Sequence, residues 1–382
     1  MTRSRPPAYP AARTVALTAV EQLATHLATA RAREIAELAP LPGVQTVEAL
    51  VDAAFWASLQ REEGRAPRIS LAYVAPEAAG HAMVFARELP LGPHDLSKLA
   101  PAVERPGIHL GVWPDGGGRL RVWGAVRAVP TGTFVLEVAE PGLLVLKYRR
   151  GDEFDKFGTI AVLEGDRVQV VDEDAASLPD CPDLLAALLG FDAPAPAAGP
   201  AGVLVQLAIS MRGHGRGGSL IVVPSAHDGW HGSAAQPIPY RVTPYGGLAG
   251  LLRAEEAERA RPAWKEALHR AVDAVAGLTA VDGATVLNER HELLAFGVKL
   301  VRRRGSERVE RVAVTAPVVG NAAEVVDPSA LGGTRHLSAA QFVHDQRDAL
   351  AMVASQDGRF TVFAWSPCEG LVHAHRVETL LM

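Results

Sequence analysis

The sequence predicts an α/β protein in which an α+β domain precedes an α/β domain with a mixed sheet between helices. Helix-like and strand-like hydrophobic patterns recur in both halves of the chain. The length of 382 residues corresponds to two or three domains. A Pro/Ala/Gly-rich stretch, FDAPAPAAGPAG at 191–202, is typical of a linker. We therefore expect domains at residues 1–195 and 200–382.

Two helices are expected at the start of the first domain, followed by strands. Residues 11–38 and 47–63 are rich in helix formers, with apolar residues three or four apart. Short apolar runs separated by turn residues then predict strands and hairpins. These strands are expected within 69–75, 81–89, 107–113, 120–129, 133–149 and 156–173, and a short helix is expected to end at Gly190.

The second domain is expected to alternate strands and helices. A long helical stretch is predicted at 246–278, with a break at Pro262. A shorter helix is predicted at 336–348. Strands are expected at 203–211, 219–225, 278–288, 293–301, 349–355 and 359–366.

Composition argues against several classes of protein. The formal net charge is −5 and no block of five or six like charges occurs, so no nucleic-acid partner is expected. No apolar stretch reaches membrane-spanning length, and the N-terminus lacks a signal-peptide core. Cys181 and Cys368 lie far apart, which does not favour a zinc or disulfide framework. We expect a cytoplasmic protein without a membrane partner.

A glycine-rich run at 213–218 matches the GxGxxG pattern. That pattern binds dinucleotides when it opens a helix, whose N-terminal amides contact the pyrophosphate. Here the β-branched run SLIVVPS follows instead. A glycine-rich hairpin between two strands is therefore the favoured interpretation.

Three polar segments carry residue types suited to nucleotide chemistry, and each also has an ordinary structural explanation. Asp282-Gly283-Ala284 is either a tight turn or a carboxylate that holds a metal or draws a proton from a hydroxyl. Gly333-Thr334-Arg335-His336 places phosphate-binding groups at a helix start, where threonine could equally be a cap. Ser355-Gln356-Asp357 follows an apolar strand, where ligand contacts and plain turns both occur.

Two histidine pairs have residue types that can bind a metal. His227 and His231 lie in a loop, which is not the helical arrangement that brings such a pair together. His373 and His375 are expected to point to opposite faces if they lie in a strand. Neither pair is a favoured metal site.

The order of the three polar segments resembles the diadenylate cyclase (DAC, DisA-type) domain. The resemblance covers about residues 200–370 and is most specific at GGTRHLSAAQFVHDQRDALAMVASQDGRF, residues 332–360. It implies a DAC-like mixed β-sheet flanked by helices. It also implies that two ATP molecules condense to cyclic di-AMP, with release of two pyrophosphates.

The resemblance implies a role for each site residue. Asp282 would assist the attacking 3′-hydroxyl. The nucleotide would contact Gly283, Ala284, Thr334, Arg335, His336 and Ser355. Mg²⁺ or Mn²⁺ accompanying ATP would be held by Asp282, Asp357 and His336. Because two such domains must face each other for the reaction, a catalytic chain would act as a homo-oligomer.

The chain also departs from the family pattern. Leu337 stands where the family commonly has a second arginine, and Gln356 and Asp357 stand where it has two glutamates. The segment around 302–330 is longer than usual. These departures leave two functions open: a diadenylate cyclase, or a DAC-fold sensor that binds ATP or a cyclic nucleotide without turnover.

The N-terminal half resembles the DACNV-type sensor regions found ahead of DAC-like domains. The residues that carry this resemblance are LVLKYRRGDEFDKFGTIAVLEGDRVQVVDE, residues 144–173. Arg149, Arg150 and Lys156 could bind an anion there, but a solvated hairpin surface is the favoured interpretation. The resemblance implies that an N-terminal sensor controls the C-terminal domain.

Overall fold

The structure, a computed structural model, is mixed α/β within the residues it describes. Those residues are 8–35, 37–62, 64–105, 107–150, 157–172, 200–226, 228–259 and 261–381. The chain divides into two compact units, residues 1–171 and 172–381. The predicted helix ending at Gly190 and most of the predicted linker lie outside the described residues. In the described part of the chain, no helix is long and apolar enough to cross a membrane.

The described helices of the first unit are α1 (Ala11–Ala32), α2 (Val44–Ser58) and α3 (Pro93–Val103). The first two confirm the predicted helices. The third was not predicted, because Pro93 and Pro101 in the run PHDLSKLAPAV suggest turns. Pro93 is nevertheless compatible with the first helical turn, where its missing N–H is not needed. The buried residues Leu96, Ala100 and Val103 give α3 one apolar face.

The described strands of the first unit form an eight-stranded sheet in the order β2-β4-β3-β1-β5-β6-β7-β8. β1 pairs parallel with β3 and antiparallel with β5, so the sheet is mixed. The strand bounds are β1 Ile69–Tyr73, β2 Met83–Pro90, β3 His109–Pro114, β4 Leu120–Val126, β5 Phe134–Glu140, β6 Leu143–Arg149, β7 Phe157–Glu164 and β8 Arg167–Val170. The predicted strand pairs are confirmed.

The described helices of the second unit include one where a strand was predicted. They are α4 Pro200–Gly213, α5 Gly247–Leu252, α6 Glu256–Arg259, α7 Pro262–Leu278 and α8 Thr334–Asp345. The break predicted at Pro262 is confirmed, since this residue begins α7. The strand prediction at 203–211 is wrong. Apolar residues there fit both the two-residue alternation of a strand and the four-residue spacing of a helix. Val203, Leu207 and Met211 are fully buried four residues apart, whereas Ile209 is 50% exposed.

This correction changes the surroundings of the glycine-rich run at 213–218. The run lies between a helix and a strand, not between two strands as predicted. The element after it is β9 (Gly218–Val223), so the run does not open a helix. The run therefore lacks the helix start that a dinucleotide fingerprint requires.

The described strands of the second unit form a nine-stranded sheet in the order β10-β12-β11-β9-β15-β16-β17-β13-β14. β9 pairs parallel with β11 and antiparallel with β15. The remaining bounds are β10 Tyr240–Tyr245, β11 Ala284–Asn288, β12 Leu293–Val298, β13 Val312–Thr315, β14 Glu324–Val326, β15 Leu350–Ala354, β16 Phe360–Ser366 and β17 Leu371–Arg376. α8 packs on the central strands of this sheet through its buried Ala339, Phe342 and Val343.

Candidate functional site: a cleft at one edge of the second sheet

Strand directions bring the polar segments of the second unit to one edge of its sheet. β9 and β11 are parallel, so both begin at this edge. β12 and β15 run antiparallel to them, so both end there. Ser219, the Asp282–Ala284 segment, Lys299 and Ser355 therefore gather at one edge, although they are distant in sequence.

A cleft of about 230 Å³ opens at this edge. Its lining residues are Ser219, Asp282, Gly283, Ala284, Val298, Lys299, Leu300, Thr334, Arg335 and Ser338. Five of the residues predicted for the site line it together, and they come from the Asp-Gly-Ala and Gly-Thr-Arg-His segments. The cleft thus combines a carboxylate, two cations and several hydroxyls.

The Asp-Gly-Ala segment is held by close backbone packing. Gly283 has a φ of +107°, and a Cβ there would lie 2.5 Å from the carbonyl carbon of Gly297. A Cβ on Gly297 would in turn lie 2.7 Å from the Tyr240 ring. Only glycine adopts this positive φ without strain and also leaves room for the backbone of Gly297 beside position 283. Asp282 beside it is exposed and has no hydrogen-bond or ion-pair partner in the described part of the chain.

The first turn of α8 supplies the opposite wall of the cleft. Gly333 is the N-cap residue, and no side chain caps this helix end. Backbone N–H groups at an uncapped helix start are available to a ligand, and the helix dipole favours an anion there. Thr334 and Arg335 both line the cleft from this turn. The alternative in which Thr334 serves as the cap is not what the structure shows.

The guanidinium of Arg335 reaches the end of β15. Its Nη1 atom lies 3.2 Å from the position that a Cβ on Gly217 would occupy. The carbonyl oxygen of Ala354 and the Cγ of Gln356 lie 3.2 and 3.3 Å from the same point. Gly217 therefore leaves the space in which Arg335 passes beside the turn that follows β15.

His336 does not reach the cleft. Its side chain is 5% exposed and lies edge-on to Phe363, with ring centroids 6.1 Å apart. Burial lowers the pKa of His336 most strongly, and the charges of Arg376 and Arg359 lower it further against an opposing effect of Asp357. The structure thus places a neutral imidazole in the core beneath the first turn of α8. The predicted phosphate or metal contact of His336 is not part of this arrangement.

The turn after β15 adjoins the cleft without lining it. Burial alone would raise the pKa of Asp357, but hydrogen bonds from Ser355 and from the Arg359 amide, with the Arg359 charge, lower it. The guanidinium of Arg359 lies 3.4 Å from the Asp357 carboxylate. Asp357 is therefore an ionised carboxylate already engaged within its own turn. Ser355 and Asp357 remain predicted contacts that this cleft does not include.

Sequence reasoning missed Lys299 and Ser338, both of which line the cleft. Lys299 directly follows β12, and a lysine after a mostly buried strand was the available signal. Ser338 stands four residues after Thr334, on the same side of the helix. Leu337, which stands where the family commonly has an arginine, does not line the cleft, whereas Lys299 directly after β12 supplies a cation there.

The histidine pair of β17 is not arranged as the sequence predicted. In the described part of the chain, no three His, Cys, Asp or Glu side chains are placed to hold an ion. The rings of His373 and His375 lie 5.6 Å apart, because residues two apart in a strand share a face. The expectation of opposite faces is therefore wrong. His227, from the other pair, lies outside the described residues.

Part of the first unit is similar to a known domain family. Residues 36–127 match the family described as Probable sensor domain DACNV. This match supports an N-terminal sensor domain. The DACNV-like stretch contains α2, α3 and β1 to β4, and it ends before residues 144–173, on which the sequence resemblance depended. No curated protein matches the chain.

Proposed function

We propose that the cleft binds ATP and that the protein condenses two ATP molecules to cyclic di-AMP. The observation that supports this most directly is the convergence of Asp282, Thr334 and Arg335 on one cleft. A carboxylate opposite a helix start and a guanidinium is the arrangement that a nucleotidyl transfer needs. The resemblance of residues 332–360 to the DAC domain supplies the identity of the nucleotide.

The phosphates would be bound by the α8 wall and by Lys299. Arg335 offers a planar fork of donors that matches phosphate oxygens, and Lys299 adds a second positive charge. Thr334 and the uncapped amides of the helix start donate further hydrogen bonds. Together they neutralise charge on the triphosphate, which is the main contribution a protein makes to phosphoryl-type transfer.

The carboxylate of Asp282 would act on the 3′-hydroxyl. In each half-reaction, a bond forms between the 3′-oxygen of one ATP and the α-phosphorus of the other. The bond from that phosphorus to the pyrophosphate oxygen breaks, and the hydroxyl proton passes to Asp282 and then to solvent. Two such transfers give cyclic di-AMP and two pyrophosphates. Two chains must bring their clefts together, since each cleft holds one nucleotide.

The residues of the cleft fit a divalent cation that accompanies ATP. Mg²⁺ typically binds one or two carboxylates together with phosphate oxygens, and Asp282 is an exposed carboxylate with no partner among the described residues. A bound Mg²⁺ or Mn²⁺ would supply charge neutralisation at the phosphates. Asp357 fits this role less well, because Ser355 and Arg359 already engage its carboxylate.

The turn after β15 favours a second function, in which the protein binds a nucleotide without turnover. There Gln356 replaces an acidic residue of the family pattern, and its amide donates to the Arg216 carbonyl at 3.4 Å. With Asp357 also engaged, this turn offers no unpaired carboxylate to a second cation. The alternative is a DAC-fold sensor that binds ATP or a cyclic nucleotide without turnover. In both cases, we propose that the DACNV-like domain regulates the second unit.

Product analysis separates the two functions. The purified full chain is incubated with ATP and Mn²⁺, and cyclic di-AMP is measured by mass spectrometry. Product that disappears in Asp282→Asn but persists in the exposed control Asp228→Asn supports the cyclase. Saturable ATP binding without product supports the sensor. The absence of both would refute a nucleotide function for the cleft.

A further inference from the structure

A larger cavity, of about 620 Å³, lies at the opposite edge of the second sheet. It borders Val223 at the end of β9 and Ala349 just before β15, whereas the cleft borders the other ends of these strands. α8 begins at the cleft and ends at the cavity with Asp345. The cavity is lined by Val223, Pro224, Trp230, Arg303, Arg304, Gly305, Ser306, His344, Asp345, Gln346, Arg347, Asp348 and Ala349. Its volume is typical of small-molecule sites.

The loop at residues 303–306, which forms one wall of the cavity, is anchored by Asp345. The side chain of Asp345 is fully buried. It accepts hydrogen bonds from the Arg303 amide at 2.7 Å, from the Gln341 amide group at 2.9 Å and from the Ser306 hydroxyl. These donors, with the Nδ1 of His344 at 3.3 Å, satisfy the carboxylate, so it holds the loop in place instead of competing for a ligand.

The anchored loop presents two guanidinium groups. The side chains of Arg303 and Arg304 are exposed and form no hydrogen bond or ion pair with any described residue. Arg347 also lines the cavity, and its guanidinium stacks on Trp365 at 4.1 Å from the ring centre. Asp348 is the opposing charge that remains exposed on the same lining.

A buried donor also belongs to this lining. Trp230 is 4% exposed, and its indole N–H has no acceptor in the described part of the chain. Buried donors in folded proteins nearly always have a partner, so an unpaired one indicates a missing acceptor. The cavity lining therefore has more positive charges and free hydrogen-bond donors than it has carboxylates to pair with them.

We propose that this cavity binds a small phosphate-bearing anion between Arg303, Arg304 and Arg347. Guanidinium forks pair with phosphate oxygens through two parallel hydrogen bonds, and three arginines line this one concave site. Asp348 would accept from a hydroxyl or amino group on the non-phosphate part of the ligand. The proposal does not depend on the function of the cleft.

The test measures binding of inorganic tripolyphosphate to the full chain by calorimetry. It is done in an Arg335→Ala background, so that the cleft contributes little. Arg303→Gln/Arg304→Gln is compared with Arg302→Gln/Arg308→Gln, which removes the same charge from the same segment outside this cavity. We expect the first pair to weaken binding at least about tenfold, because it removes two charge-assisted contacts to the phosphate oxygens. The control pair should change it less than about threefold.

Two results would overturn the proposal. Equal losses in both double variants would show only general attraction to a basic segment. Unchanged affinity in both would show that the cavity does not hold the anion. Thermal unfolding of each variant checks that the loop anchored by Asp345 is intact. ATP binding by Arg303→Gln/Arg304→Gln with Arg335 restored reports on the cleft separately, so failure at one site is distinguishable from failure at the other.

Discussion

Asp282 and Arg335 line the same cleft, although one precedes β11 and the other lies in the first turn of α8. Neither forms an ion pair with another described residue. A carboxylate and a guanidinium that face one space without pairing with each other are both available to a ligand. This relationship is what the proposal of a nucleotide site depends on, and it determines the first predictions.

Arg335→Ala should weaken ATP binding at least about tenfold, because a charge-assisted hydrogen bond contributes about 1.5–3 kcal/mol. Arg335→Lys should recover only part of the affinity, since lysine keeps the charge but loses the planar fork. Calorimetric titration of ATP into the full chain measures both. Equal affinity in the wild type and Arg335→Ala would remove the phosphate role from this residue.

Lys299→Met should lower the affinity for ATP by about threefold to tenfold, as expected for one partly solvated charge contact. The affinity for adenosine should change little, because Lys299 is proposed to contact phosphates. The exposed Lys98 of α3 provides a matched control as Lys98→Met. If Lys299→Met weakened ATP and adenosine alike, Lys299 would be acting on the cleft structure and not on the phosphates.

Gly283→Ala should destabilise the second unit by about 2 kcal/mol or more, through a strained φ and a clash with backbone. The added Cβ would meet the carbonyl carbon of Gly297 at 2.5 Å. Gly213→Ala is the control, because a Cβ at Gly213 meets nothing within 4 Å. Urea unfolding of both variants measures the difference. A Gly283→Ala protein as stable as the control would mean that this turn adopts another conformation.

The buried His375 should make stability fall as the pH is lowered. Burial, and then the charge of His373, lower the pKa of His375 to about 4 from its ordinary 6.5. Its Nδ1 is 2.7 Å from the Thr315 hydroxyl, and its buried Nε2 has no partner among the described residues. Because the unfolded chain binds the proton first, this contribution is complete above about pH 6.5 and is lost as the pH falls toward about 4.

The expected loss from His375 between about pH 7.5 and pH 5 is about 2 kcal/mol. Urea unfolding at the two pH values measures it, for the wild type, for His375→Asn and for the exposed control His269→Asn. The pH dependence should shrink by this amount in His375→Asn and stay unchanged in the control. A wild-type slope retained in His375→Asn would assign the pH dependence to other groups.

The spacing of apolar residues along the sequence predicted most of the helices and strands. It did not predict α3, and it gave a strand where the structure has α4. The apolar residues of the run at 203–211 fit a strand, in which every second residue is apolar, and also a helix, in which every fourth is. The exposure of Ile209 in the structure distinguishes the helix from the strand. In α3, the prolines at 93 and 101 obscured an amphipathic helix. Such ambiguities are resolved by packing partners that a short window of sequence does not contain.

The sequence also predicted only some of the residues that line the cleft. Residue types and order indicated Asp282, Thr334 and Arg335, because their motifs are compact. Nothing local distinguishes His336, which is buried, from its neighbour Arg335, which lines the cleft. Lys299 lines the cleft because β12 is antiparallel to β11 and ends beside Asp282, which is a property of strand pairing and not of a motif.

Photolabelling with an azido derivative of ATP tests the location of the nucleotide most directly. The full chain is labelled with and without excess ATP, digested, and the modified peptides are identified by mass spectrometry. The proposed function predicts ATP-protected labels within residues 282–300 or 334–356. Protected labels confined to residues 36–127, or to the arginine-bearing loop at 303–306, would contradict it.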